Sequence, residues 1–275
     1  MECMATEVRL TPAQSEIYLD ALLDEDLGAL RVEFSRTVSQ QIGAIAGWLA
    51  VDSWLGAGDI AEVHDDATDR PDPIRYAAFR AVSTVVQMAA ELSAGVITLL
   101  DCQQRYAAAA LIRQLIETEY LLSAFDADFS RATVWHQSTP ADIRRTFRPA
   151  TIRRWGGFSD REYWVHCETG GHPSPQGAYL LRHGSKQDDE VVISTMWGDL
   201  AKHLRRVWTA VHSLLATHHA RFTRVRSQEI AVVGDIEARW FDADPLAYPN
   251  SLNVLRALMT ISEGAEEKTD NRSAD

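Results

Sequence analysis

Cysteine is scarce in this chain, and segments that direct a protein into or across a membrane are also missing. The three cysteines, Cys3, Cys102 and Cys167, include no Cys-x-x-Cys pair, so the sequence predicts no disulfide framework. The N-terminus lacks a basic segment followed by an apolar run, and no later segment approaches 18 uninterrupted apolar residues. We therefore expect neither secretion nor a membrane span, and the reducing cytoplasm is the expected compartment.

Positive charge is also in deficit, because the formal net charge is −12 at pH 7. The first 70 residues hold 14 Asp or Glu against four Arg. This acidity argues against a protein that coats nucleic acid without specificity. One short arginine-rich segment still permits a local phosphate site, although such a run is more typical of a solvated helix face. Its arginines are Arg144, Arg145, Arg148, Arg153, Arg154 and Arg161.

Strand-like alternation is nearly absent, and helical spacing dominates instead. With 275 residues, of which 46% are hydrophobic, the chain can bury a substantial core. Apolar residues recur at three-four spacing in several long segments, and Thr11-Pro12 is typical of a helix start. We predict an all-α fold, a bundle of long antiparallel helices. The expected helices cover about 11–24, 26–55, 73–104, 105–125, 188–221, 228–241 and 250–261.

Prolines, glycines and charge divide the chain into regions. Residues 1–70 are expected to form acidic N-terminal helices packed on the core, followed by a linker over 59–73. Residues 71–262 are expected to form the main bundle. Within it, prolines and glycine pairs predict an irregular, loop-rich insertion around 130–187. The polar tail 263–275 is expected to be disordered.

A polar stripe lies beside the apolar face of the helix predicted over 105–125. Arg113 and Glu117 are one turn apart in this stripe and can form an i,i+4 ion pair. Buried charge is tolerated only when it has partners, so we expect a third group to complete the network. A histidine from the loop of the 160s fits that role.

His172 lies on a loop whose sequence restricts its backbone. Gly170-Gly171 permits a turn that residues with side chains cannot make, and Pro173 confines His172 to extended geometry. The imidazole is therefore held on a stiff loop. Two interpretations stay open: the histidine pins the loop by bonding to backbone, or it takes part in catalysis.

Taken together, these motifs resemble those of an uncharacterised bacterial helical family that is similar to the HEPN superfamily. HEPN proteins are helical bundles, often dimeric, and include toxin and defence ribonucleases. The resemblance implies an HEPN-like bundle over 71–262, an RNA or nucleotide ligand, no cofactor, a homodimer and a cognate partner protein. The motifs are the Arg113-x3-Glu117 helix after an alanine-rich run, the connector with Phe147-Arg-Pro149, and Tyr163 followed by Gly-Gly-His172-Pro.

The same resemblance implies roles for particular residues. HEPN ribonucleases carry an Arg and, four to six residues later, a His on one helix face, and Arg161 to His166 has this spacing. His166 would then be the acid/base for RNA cleavage driven by the 2′-OH, and Arg161 would stabilise the phosphate charge. His172 completes the expected catalytic set. The expected supporting and ligand-binding residues are Arg113, Glu117, Tyr163, Arg153 and Arg154.

Other interpretations compete with this one. Two more Arg–His spacings fall in the same range, at Arg131–His136 and Arg206–His212. Metal ligation by His166, Cys167 and His172 matches no zinc pattern, so no metal site is predicted. Neither a glycine-rich phosphate loop nor a dinucleotide fingerprint is present. The main alternative function is a non-enzymatic helical interaction module with a buried Arg-Glu-His structural network.

Overall fold

The computed structural model of the protein describes residues 10–54, 64–65, 70–71, 73–181, 185–218, 227–247 and 254. This part of the chain is all-α, as predicted, apart from two-residue antiparallel strands β1 (His64–Asp65) and β2 (Arg70–Pro71). The helices are α1 (Pro12–Leu23), α2 (Glu25–Trp54), α3 (Pro73–Asp101), α4 (Arg105–Ala127), α5 (Ser130–Gln137), α6 (Pro140–Thr146), α7 (Pro149–Trp155), α8 (Asp160–His166), α9 (Lys186–His218) and α10 (Ser227–Ala243). The rest of the predicted linker, the helix over 250–261 except Val254, and the tail 263–275 lie outside the described residues.

Local signals place the ends of several helices where the sequence predicts them. Thr11 caps α1 in a reciprocal capping box with Gln14, and Pro12 takes the first helical position. The segments 73–104 and 105–125 do not form one helix. The helices α3 and α4 are joined by a turn of three residues, 102–104, in which Gln103 adopts a left-handed backbone with φ of 59°. This turn reverses the chain, so α3 and α4 form an antiparallel hairpin.

The segment 130–187 is more helical than expected. It holds four short helices, α5 to α8, then the π-helical turn Cys167–Gly171 and the 3₁₀ turn Pro175–Leu180. The expectation of loops was wrong here because Pro140 and Pro149 each stand at the first position of a helix. Proline is favoured at that position, where its missing N–H has no partner to lose.

One hydrophobic core runs through the bundle. The helix α3 packs between α2 and α4 and also against α5, while α9 packs on α2 and α4. Phe34 of α2 stacks on Trp240 of α10 with ring centroids 4.5 Å apart. One described helical segment, Tyr76–Asp101, is long and apolar enough to cross a membrane by composition, and 39% of its most apolar stretch is buried inside the bundle.

A fully buried ion pair ties the outer helices to this core. Arg31 of α2 donates to both carboxylate oxygens of Asp244, from Nε at 2.6 Å and from NH2 at 2.8 Å. The same guanidinium reaches Ser194 of α9 and the backbone oxygen of Ala21 in α1. Trp240 Nε1 also donates to Asp244. Every partner that this buried pair needs is therefore present.

Candidate metal centre

Two helices each carry an acid and a histidine one turn apart, directed into the same part of the core. On α8 these are Glu162 and His166, and on α9 they are Asp199 and His203. Residues four apart share a helix face, so each pair is presented together. Glu119 of α4 completes the cluster from a third helix. All five side chains are buried, and His166, Asp199 and His203 have at most 1% of their surface exposed.

The two imidazoles meet edge to face at the centre of the cluster. His203 Nε2 lies 3.2 Å from His166 Nε2. Asp199 sits beside both rings, with Oδ1 3.7 Å from His203 Nε2 and Oδ2 3.6 Å from His166 Nδ1. One donor atom from each of the three residues therefore falls within 4.8 Å of the other two.

Asp199 is the anomaly of this cluster. Its side chain is completely buried, yet neither carboxylate oxygen accepts a hydrogen bond from any described residue. Ionised carboxylates are seldom buried without partners, because the lost hydration costs several kcal/mol. The contact between the two histidine rings joins their Nε2 atoms and leaves Asp199 without a hydrogen bond. Among the described residues, the ring nitrogens beside this carboxylate lie 3.6 and 3.7 Å away, beyond hydrogen-bond distance.

Glu119 holds His203 in a fixed orientation. Its Oε2 lies 2.6 Å from His203 Nδ1, and Arg206 NH1 contacts its other oxygen at 3.3 Å. Burial raises the pKa of Glu119 to about 8, because desolvation outweighs the nearby guanidinium of Arg206. When Glu119 is ionised and accepts a hydrogen bond from Nδ1–H, the Nε2 lone pair of His203 points toward His166 and Asp199. A carboxylate behind a histidine is the usual outer partner of a metal-bound imidazole.

Both histidines are neutral at physiological pH in this environment. Burial lowers the pKa of His166 to about 4, although Asp199 opposes the shift. Burial likewise lowers the pKa of His203 to about 4 against the opposing charge of Asp199. Neutral imidazole is the form that binds metals, so each ring keeps one nitrogen lone pair even without an ion.

The remaining charges are paired at the edge of the cluster. Glu162 contacts Lys202 Nζ at 3.2 Å and Arg206 NH1 at 2.9 Å. Burial opposes ionisation of Glu162, but three groups prevail and hold its pKa well below the ordinary value: His203, which is protonated at the low pH where Glu162 titrates, Lys202 and Arg206. Glu162 is therefore a carboxylate bound to two cations. Asp199, by contrast, pairs with no Lys or Arg side chain among the described residues.

The separation of the nitrogens suits a transition metal. With metal–nitrogen bonds of about 2.1 Å, two nitrogens 3.2 Å apart subtend an angle of about 100° at a shared ion. This angle is close to the tetrahedral value that zinc sites favour. Two histidines and one carboxylate also form the ligand set of catalytic zinc sites and of non-haem iron centres. In such sites a further coordination position is left for water or substrate.

The sequence prediction of an Arg113–Glu117 ion pair agrees with the structure. Arg113 NH2 lies 2.9 Å from Glu117 Oε1, and the expected third group is Tyr163, whose hydroxyl lies 3.0 Å from Arg113 NH2 and 3.2 Å from Glu117 Oε1. Arg113 Nε also donates to Cys167 Sγ at 3.4 Å. A histidine is not the completing partner: within the described residues, no hydrogen bond or ion pair joins Arg113 or Glu117 to His166 or His172.

The structure does not bring the expected catalytic residues together. Arg161 and His166 are five residues apart on α8, and Arg161 is exposed while His166 is buried. His172 is exposed on the loop that follows the π-helical turn. Arg154 is exposed, whereas Arg153 is buried and donates to Asp160 at 2.9 Å. A helical offset of five residues separates two side chains by about 140°, which explains why one faces solvent and the other the core.

Sequence reasoning missed Glu119, Asp199 and His203. The prediction grouped His166 with Arg161 and His172, its neighbours along the chain. The neighbours of His166 in the cluster, His203 and Asp199, both lie on α9, 37 and 33 residues further along the chain. One signal was available: Asp199-x3-His203 lies on the apolar face of a long amphipathic helix, where an acid and a histidine at i,i+4 are unusual.

No protein-family model, curated protein or solved structure matches this chain.

Proposed function

We propose that this protein is a metalloprotein that holds one divalent ion of the zinc class between His166, Asp199 and His203. The observation that carries the proposal is the completely buried carboxylate of Asp199, which has no hydrogen-bond partner among the described residues. A divalent ion bound there supplies the missing positive charge. It also uses the two neutral imidazoles that already face each other.

The protein groups around the site support binding of an ion and a chemical role for it. Glu119 orients His203 and increases its basicity through the 2.6 Å contact at Nδ1. Three protein ligands leave a position for water, which zinc activates for hydrolysis. Because the ligands have at most 1% exposure, a substrate reaches the ion only when the helices around α8 separate. We therefore propose a hydrolytic centre that opens by local motion.

The metal content of the purified protein tests this proposal. We expect about one divalent ion per chain by plasma mass spectrometry after purification without affinity metals or chelators. Asp199→Asn and His203→Gln should lose most of the ion because each removes a ligand. His172→Gln is the matched control: this histidine is exposed and lies outside the cluster, so the ion should remain.

The same variants separate a metal site from a purely structural network. Removing a ligand from a metalloprotein lowers its melting temperature, since the bound ion stabilises the folded state. In a network that never binds metal, Asp199→Asn instead removes a buried charge without a partner and raises the melting temperature. An ion-free protein that Zn²⁺, Fe²⁺ and Mn²⁺ all fail to stabilise, with a more stable Asp199→Asn variant, contradicts the proposal.

A second candidate function is binding of RNA or a nucleotide at the outer surface of α6 to α8. Residues 131–161 contain seven Arg and two Asp in a chain of net charge −12. Trp164 is 46% exposed beside this surface and offers a face for base stacking. The observation that favours this candidate is the exposure of five arginines. They are Arg144, Arg145, Arg148, Arg154 and Arg161.

Salt-dependent binding of a labelled single-stranded RNA tests the second candidate. We expect affinity that falls steeply as salt rises, because each phosphate contact releases a counterion. Arg154→Glu combined with Arg161→Glu should weaken binding at every RNA sequence. Arg239→Glu, an exposed position on α10 that pairs with Glu33, is the control. Unchanged binding by the double variant contradicts this candidate. This second candidate also includes a homodimer, a cognate partner protein and a cytoplasmic location. The sequence is the support for each of these three expectations.

A further inference from the structure

A groove on the far side of α4 from the metal centre has the dimensions of a ligand site. Its volume is about 530 Å³, within the range of pockets that hold small organic molecules. The helices α3 and α4 form its long walls, and α5 to α7 close one side. Its apolar lining includes Val85, Met88, Leu121, Trp135, Phe147 and Ile152.

The polar lining of the groove is acidic. Four residues supply it, namely Glu91, Gln114, Glu117 and Thr118, and the described lining contains no Lys, Arg or His. Glu117 is already paired with Arg113 at 2.9 Å, behind the wall of the groove. Glu91 is exposed and forms no ion pair or hydrogen bond with a described residue. The groove therefore presents one negative charge that the protein does not compensate.

The register of the α3–α4 hairpin brings these polar groups to one level. Gly95 of α3 faces Leu111 of α4, whose Cδ1 lies 3.0 Å from the position of a methyl group at Gly95. Because the two helices are antiparallel, Glu91 lies level with residue 115 of α4, within about one turn of Gln114 and Glu117. Val85, Met88 and Leu121 lie further along the hairpin, so apolar surface extends from the polar group.

We propose that this groove binds a small apolar molecule that carries one positively charged amine. The amine pairs with Glu91 and bonds to Gln114 or Glu117, while the hydrocarbon or aromatic body packs along Leu121 and Trp135. A carboxylate beside apolar walls favours such a cation over a neutral or anionic molecule of the same shape. This site is separate from the metal centre, because Glu117 and Thr118 face the groove while Glu119 faces α9.

Three probes of equal length test the proposal: octylammonium, octanol and octanoate, each titrated into the full-length protein by calorimetry. We expect octylammonium to bind at least tenfold more tightly than octanoate, with octanol between them. Glu91→Gln should lower the affinity for octylammonium about two- to fivefold, as for a solvent-exposed charge pair, and leave octanol unchanged. Glu190→Gln, an exposed acid on α9, should change neither.

A second variant checks that the probes occupy the groove. Met88 is 45% exposed at the rim, so Met88→Trp blocks the groove without disturbing the core. It should lower the affinity for all three probes while the metal content stays the same. Equal affinity for the three probes, or full binding by Met88→Trp, overturns the proposal. Neither result bears on the metal centre, whose variants are different.

Discussion

Two buried aspartates differ in whether the side chains around them compensate their charge. Asp244 accepts hydrogen bonds from Arg31, from Trp240 and from the backbone of Leu246. Asp199 is equally buried and accepts none from the described residues. The first residue is fully accounted for as a structural anchor. The second has no such partner among the described side chains, and this is the observation behind the metal ion that we propose.

At the residue scale, replacing Glu119 by Gln should stabilise the ion-free protein and weaken its binding of metal. Its pKa rises from an ordinary value of 4.5 to about 8 on folding. Between these values the folded state binds a proton that the unfolded state has lost, so stability falls as pH rises. Glu119→Gln cannot ionise and should escape this loss. We expect chelator-treated Glu119→Gln to be more stable than wild type at pH 8.5, by a few kcal/mol in urea denaturation.

The same substitution removes the carboxylate behind His203 and should weaken ion binding about 10–100-fold. His166 and His203 contribute the opposite slope, since their pKa values fall from 6.5 to about 4 on folding and stability then rises with pH over that range. This contribution is common to wild type and variant. It acts only below the ordinary histidine pKa of 6.5, so a difference between the two proteins that stays constant from pH 6.5 to 8.5 contradicts the assignment of Glu119.

At the scale of a structural element, the π-helical turn after His166 is held against α4 by a glycine contact. A methyl group at Gly170 would lie 2.5 Å from Ala109 Cβ and 2.8 Å from the carbonyl carbon of Ala109. Backbone cannot yield as a flexible side chain can, so Gly170→Ala should push the turn away from α4 and displace His166. We expect a loss of about 1–3 kcal/mol in unfolding free energy, together with weaker ion binding.

Gly234 on α10 is the matched control for that substitution. A methyl group there meets no atom within 4 Å, and the residue is exposed in the middle of a helix. Gly234→Ala should therefore stabilise the protein by roughly 0.5–1 kcal/mol, because alanine loses less backbone freedom on folding. Urea denaturation of the two variants measures both effects. A Gly170→Ala variant as stable as Gly234→Ala contradicts the contact at the π-helical turn.

The sequence predicted the positions of the helices well wherever the apolar pattern alone determined them. The long helices α2, α3 and α9 have clear apolar stripes, and their predicted bounds differ from the observed ones by a few residues. The segment 130–187 was misjudged because proline both ends and begins helices. The residues around Pro140 and Pro149 do not show whether each proline ends or begins a helix, unless the preceding residue is recognised as the N-cap of that helix.

At the scale of the whole molecule, the Arg31–Asp244 pair joins α1, α2, α9 and the end of α10. Asp244→Asn leaves the buried guanidinium without its counter-charge and should cost about 3–5 kcal/mol of unfolding free energy. Asp101→Asn breaks the Arg36–Asp101 pair, whose side chains are 44% and 43% exposed, and should cost under about 1 kcal/mol. The urea midpoints of the two variants make the comparison. Equal shifts contradict the anchoring role of Asp244.

Sites that depend on the whole fold were predictable only in part. The Arg113–Glu117 pair lies within one helix and followed from i,i+4 spacing. Its third partner, Tyr163, lies in α8, and the sequence did not distinguish it from the nearby histidines. The candidate metal centre could not be predicted from any single helix, because α4, α8 and α9 must pack together before Glu119, His166 and His203 meet. Such long-range contacts leave no fixed spacing in a sequence.

The depth of the three ligands has a kinetic consequence. An ion surrounded by side chains with at most 1% exposure cannot exchange with the solution while the helices stay closed. Loading and release therefore proceed at the rate of local opening, which is set by the stability of α8 and the turn after it. On the proposed metal function, the metals available when the chain folds would determine which ion it carries, and a later change in metal supply would act slowly.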